Sequence, residues 1–94
     1  ISVALNLEDN EVKFYKNGTV QNSGTAISIT AGLTYVFAVD DGSSSRYCTW
    51  DCNFGSPSFA ISSGNTDGNG FGNFEYAVPT GFFSLNTKNL AGNS

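Results

Sequence analysis

Ninety-four residues make at most one domain, and a chain this short buries only about 60–65% of the surface its unfolded form exposes, so its margin of stability is thin. Net charge is −4, and the four basic residues, Lys13, Lys16, Arg46 and Lys88, are scattered, which offers no footprint for a nucleic-acid backbone. Eight Phe, four Tyr and one Trp supply much of the apolar content, Met is absent, and no apolar run is long enough to span a membrane or to open the chain as a secretion signal.

The strong helix formers Ala, Leu, Glu, Lys, Gln and Arg total 20 residues, against 42 of Asn, Ser, Thr and Gly, a balance that favours short strands joined by polar turns over any helix. Ile1, Val3, Leu5 and Leu7 alternate with Ser2, Ala4, Asn6 and Glu8, the period of a strand with one buried face. After the turn Glu8-Asp9-Asn10, Val12 and Phe14 resume the alternation. Asn17-Gly18 then supplies the two positive-φ positions of a type I′ hairpin, which predicts an antiparallel return over Thr19 to Gln21.

Ile27 and Ile29 mark a short strand, Ala31-Gly32 a turn, and Leu33, Tyr35, Phe37 and Val39 another alternating segment. Asp40 to Ser45 is a loop. Cys48, Trp50, Cys52 and Phe54 share one side of a predicted strand, ended by Gly55-Ser56-Pro57. Phe59 and Ile61 lead into Ser62 to Gly72, the longest candidate surface loop; Phe74 and Tyr76 form a further strand, and Phe82 to Leu85 the last. Residue 86 onward reads as a polar tail or link. About seven short strands predict an all-β antiparallel sandwich over residues 1–90, with 91–94 as a tail.

Three segments then carry a resemblance: Lys13-Phe14-Tyr15-Lys16-Asn17-Gly18, Asn53-Phe54-Gly55-Ser56-Pro57-Ser58-Phe59, and Pro79-Thr80-Gly81-Phe82-Phe83-Ser84-Leu85-Asn86-Thr87. In order and spacing they resemble the later part of a SPRY domain. Leu85 to Leu90 in particular resembles the SPRY-like modules of bacteriophage virion proteins. The resemblance implies a twisted jelly-roll sandwich that binds through loops and does no catalysis. It also implies that early strands of the module lie elsewhere, so that the sheet edge and inner face are covered by other residues of the same polypeptide or by a neighbouring subunit. A first residue that is Ile, not Met, fits a processed product or part of a longer chain.

Several residues admit a chemical reading beside a structural one. Cys48 and Cys52 lie four apart, about 13 Å on a regular strand and beyond disulfide reach, so they read first as core thiols beside Trp50; a disulfide across a bulge and a metal pair are the alternatives, the latter without any His to complete it. Asn65-Thr66-Asp67-Gly68-Asn69-Gly70 opens like a calcium loop, but its twelfth position is Tyr76 and the bidentate carboxylate is missing, so a turn-rich loop is the expectation. Glu8, Asp9 and Glu11 cluster at a turn in water, unlike a glycosidase pair with one raised pKa. Asn17-Gly18-Thr19 is formally a glycosylation sequon at a position a tight turn needs. Tyr15, Tyr47 and Phe71 are candidate stacking aromatics.

The expectation is a non-enzymatic structural or receptor-binding module of a virion, in a tail fibre, head fibre or capsid decoration, with a carbohydrate-binding, lectin-like module as the alternative. No cofactor and no metal are expected. Partners would be other virion subunits or a host-surface protein or glycan, in a homo-oligomer or a longer chain, on the virion and outside the cell. The binding loops are expected at Asp40, Asp41, Ser43 and Ser44, and at Asn65, Asp67, Asn69 and Phe71.

Overall fold

The structure, a computed structural model, describes residues 1–40, 42 and 49–92. Its regular part is one antiparallel sheet of four strands: β1 (Ser2–Asn6), β2 (Glu11–Lys16), β3 (Thr19–Val20) and β4 (Ile27–Ser28). A single turn and a half of helix, α1 (Thr87–Gly92), closes the chain. The antiparallel, nearly helix-free character expected from composition is therefore present.

Local chemistry explains the first hairpin. Asn6 Oδ1 accepts the backbone N–H groups of Glu8 and Asp9, both at 3.0 Å, and Asn6 Nδ2 donates to Asp9 Oδ2 at 3.0 Å, so a single side chain folds the β1–β2 turn. Asn10 completes it at φ 54°. The pairing sets Val3 opposite Phe14 and Leu5 opposite Val12.

Asn17 and Gly18 take φ 50° and 79°, the two positive values a type I′ turn requires, and β3 returns with Tyr15 opposite Val20 and Lys16 opposite Thr19. Gln21 N–H donates to Phe14 O at 2.8 Å and extends the return by one residue. A 3₁₀ turn at Asn22–Gly24 then carries the chain back to β4, whose Ile27 faces Val12. β3 and β4 thus share one edge of β2, and β1 holds the other.

Antiparallel partners lie on a common face. Val3, Leu5, Val12, Phe14 and Ile27 therefore make one apolar face, while Ala4, Lys13, Tyr15 and Glu11 occupy the opposite one. Ala4, 6% exposed, is the one buried hydrophobic residue among those described; Val3, Phe14 and Ile27 stay 39–47% exposed. The apolar face is thus the open face.

Beyond β4 the structure departs from the expected strands. Leu33 to Val39 runs without ladder partners and is exposed throughout, with Tyr35 to Ala38 lying along the apolar face and Tyr35 Oη donating to Thr30 O at 2.5 Å. Trp50, Cys52 and Phe54 are likewise exposed, with Cys52 a free thiol, so the expected inner side of that strand is open here; Tyr47 and Cys48 lie outside the described residues. The Phe54 ring contacts Phe37 at 6.1 Å between centroids. Alternation marks a segment able to pair, but whether it pairs depends on partners distant in sequence that the period does not show.

Phe74 forms one isolated bridge to Asn65, and Phe82 to Leu85 forms no ladder. The segment read as a tail is instead the start of α1, which crosses the expected boundary at residue 90. Asn86 explains it: Oδ1 accepts the Asn89 N–H at 3.1 Å, an N-cap bond to the third helical residue.

Candidate functional site

Asn65, Asp67, Asn69 and Phe71, expected in one binding loop, are brought together by a polar hub. The loop closes where Asn65 and Phe74 exchange both backbone hydrogen bonds at 2.8 Å. Asn65 Nδ2 reinforces that closure by donating to Phe74 O, Glu75 O and Ser63 Oγ at 2.9–3.2 Å. Glu75 ties the loop's other side, its carboxylate accepting both the hydroxyl and the N–H of Ser62, and its carbonyl the hydroxyl of Ser63. Those two bonds from Ser62 hold the Glu75 carboxyl below its ordinary pKa.

Asp67 sits at the centre, 6% exposed. Its Oδ1 accepts the N–H groups of Asn69 and Phe71 at 2.9 and 3.0 Å, within its own loop. Its Oδ2 reaches across the chain and accepts Ser84 N–H at 2.9 Å, Ser84 Oγ–H at 2.7 Å and Asn89 Nδ2–H at 2.8 Å. Burial pushes this carboxyl upward, but the bonds from Asn89, the Ser84 backbone and hydroxyl, and the Phe71 N–H outweigh it and hold the group well below the usual carboxylate range.

The hub extends into α1. Asn89 Nδ2 also faces Ser84 O and Oγ at 2.7 and 2.9 Å, and Asn89 Oδ1 accepts from Asn69 Nδ2 at 2.7 Å. Asn86 Nδ2 donates to Ser84 Oγ at 2.8 Å and to Phe54 O at 3.3 Å. One ionised carboxylate therefore fastens the long loop, the segment before α1 and α1 itself.

Beside the hub lies a polar cleft of about 310 Å³, lined by Ser56, Phe71, Gly72, Asn86, Thr87 and Lys88 among others. Lys88 Nζ stands 5.9 Å from the centre of the Phe71 ring. Gly72 (φ 100°) leaves room for the neighbouring Phe74 ring, which a Cβ there would meet at 2.4 Å.

The other expected loop is less defined. Asp40 is exposed, with Oδ1 accepting Gly42 N–H at 3.4 Å; Asp41, Ser43 and Ser44 lie outside the described residues. Glu8 and Asp9 are exposed at the β1–β2 turn, Asp9 engaged with Asn6.

The calcium-like opening meets a specific obstacle, because both Asp67 oxygens already face N–H and O–H donors and Asn69 turns its amide nitrogen to Asn89. No group of three His, Cys, Asp or Glu side chains gathers among the described residues. A carboxyl held this far below neutrality is also poorly matched to proton transfer.

Ser84, Asn86, Asn89 and Lys88 are structural neighbours of the loop that sequence reasoning passed over as site residues. Asn86 carried a readable signal, an Asn just before a short helix-permissive run. Ser84 carried none, since its partner lies 17 residues away. No protein-family model, no curated protein and no solved structure matches this chain.

Proposed function

We propose that the chain is a non-enzymatic structural or receptor-binding module of a phage virion, the later part of a SPRY-like jelly-roll sandwich in a tail fibre, head fibre or capsid decoration. The virion and SPRY part of this reading rests on the resemblance of the three sequence segments, and the observation that carries its non-catalytic, binding part is the use made of Asp67. Catalytic carboxyls are tuned toward the working pH. This one is tuned away from it, by donors that fasten a long glycine-rich loop to the body. A loop presented on a fixed footing suits a binding surface, since less ordering entropy is lost when a partner docks.

The partners of such a module are other virion subunits or a protein or glycan on the host surface, and its place is the outside of the virion. Immunogold labelling of density-banded particles from the source culture tests this. Label on the fibres or the capsid is expected; label confined to the soluble fraction, with clean particles, contradicts it.

One observation favours the lectin-like alternative, the polar cleft beside Phe71 and Lys88. A glycan array tests that site: retention of a sugar class that Phe71→Ala abolishes is expected if the cleft binds carbohydrate, and with clean particles in the labelling experiment it would move the assignment to a lectin-like module; no retention removes the alternative.

A further inference from the structure

We propose that Asn17 is a site of spontaneous covalent modification, its side-chain amide lost to attack by the Gly18 nitrogen at the tip of the β2–β3 hairpin, while the second Asn-Gly pair, Asn69-Gly70, is protected by the Asp67 hub. The inference goes beyond the reading above and does not depend on it.

The chemistry is intramolecular. The Gly18 backbone nitrogen, losing its proton to solvent, attacks the Asn17 carboxamide carbon. A C–N bond forms, closing a five-membered succinimide, and the side-chain nitrogen leaves as ammonia with a proton from water. Water then opens the ring at either carbonyl, giving aspartate or isoaspartate. A glycine after the asparagine favours the attack, because no Cβ hinders its nitrogen. The chain holds two such pairs, at 17–18 and 69–70.

Exposure does not separate the two, since both asparagines reach solvent. Hydrogen bonding does. The Asn17 side chain has no hydrogen-bond partner among the described residues, and Gly18 N–H enters none of the described turn bonds. At the other pair each group that the reaction uses is engaged. Asn69 Nδ2 donates to Asn89 Oδ1 at 2.7 Å, and the Asn69 N–H to Asp67 Oδ1 at 2.9 Å. Gly70 N–H, on the attacking nitrogen, donates to Asp67 O at 3.0 Å.

The backbone adds a second difference. Ring closure requires Asn17 to rotate out of its left-handed conformation, φ 50°, so the hairpin tip must open first. β3 is two residues long, and the pair next to the turn is Lys16 with Thr19, so a small local opening suffices. Opening at Asn69 breaks into the bonds of a buried carboxylate. One bond to a charged group is worth about a tenfold factor in the open population.

The two products differ in consequence. Aspartate tolerates the left-handed turn position. Isoaspartate adds a methylene to the main chain of a two-residue turn whose length sets the register of β3. It also shifts Gly18 against the Tyr76 ring, which a Cβ on Gly18 would meet at 2.7 Å.

Peptide mapping by mass spectrometry of the native polypeptide, aged in mildly alkaline buffer with and without denaturing urea, tests the proposal. In the folded protein Asn17 should convert about tenfold or more faster than Asn69, with isoaspartate among the products, and in urea the two rates should converge. Asn89→Ala, which frees the Asn69 amide, should speed conversion at Asn69 and leave Asn17 unchanged. Equal rates in the folded protein, or a faster Asn69, overturn the proposal, as does a folded protein in which neither pair converts. A preference for Asn17 that persists undiminished in urea overturns it too, because flanking sequence and not the fold would then decide. So does an Asn69 rate that a folded Asn89→Ala leaves unchanged. If Asn89→Ala fails to fold, the wild-type comparison decides alone.

Discussion

Asp67 concentrates more of the described long-range bonding than any apolar residue does, and this has measurable consequences. Replacing one oxygen by an amide in Asp67→Asn turns a donor toward donors and strands at least one buried partner among Ser84, Asn89 and Phe71. The expected loss is about 2–4 kcal/mol in urea unfolding at pH 7, since bonds to a charged group and an unmet buried donor are each worth one to three. The pH dependence has a definite sign. The folded-state pKa lies below the unfolded value of about 3.9, so the stabilisation is complete above that pH and drains away as pH falls below it. Urea midpoints from pH 7 down to 2.5 should therefore decline below about pH 4, in line with that unfolded value, and Asp67→Asn should flatten the decline. Glu75 is lowered in the same direction, but as an exposed group it adds little.

Each element is set by one or two residues whose chemistry is local. The β1–β2 turn by Asn6 and the hairpin at Asn17-Gly18 are legible in sequence because the determinant and its effect lie within a few residues. The later segments are not. Leu33 to Val39 alternates as clearly as Ile1 to Leu7, yet only the second found a neighbouring strand, and pairing partners are distant in sequence. The loop at 62–72 was legible as a loop from its Asn, Ser and Gly content, whereas its anchoring by Ser84 and Asn89 was not.

Two glycines test the loop's geometry. Gly72→Ala combines φ 100° with a Cβ 2.4 Å from the Phe74 ring, while Gly70→Ala at φ 79° meets nothing within 4 Å. The first should cost about 2–3 kcal/mol and the second about 1 kcal/mol in thermal or urea unfolding. Equal costs would contradict the described packing of Phe74. At α1, Asn86→Ala removes the N-cap and the bonds to Ser84 and Phe54, for an expected loss of about 1–2 kcal/mol.

Taken whole, the molecule is wide for its length. Its radius of gyration is 14.4 Å, against about 12.4 Å for a compact chain of 94 residues. The breadth and the exposed apolar face have one cause: Val3, Phe14, Ile27, Phe37 and Trp50 remain open where a self-sufficient core would enclose them. Composition foresaw enough apolar residues for a core and their strand-like pattern; it could not show that the chain leaves them uncovered, which depends on how segments far apart in sequence meet. An assembled or extended context would cover them, in keeping with the proposed structural or binding module. Small-angle X-ray scattering on these 94 residues in dilute buffer tests this most directly. The account predicts a scattering mass above that of one chain, from particles whose subunits keep the open arrangement. A single-chain mass with a radius of gyration near 12 Å, the value for a compact chain, would mean that the chain closes over its own apolar face, and would contradict the account.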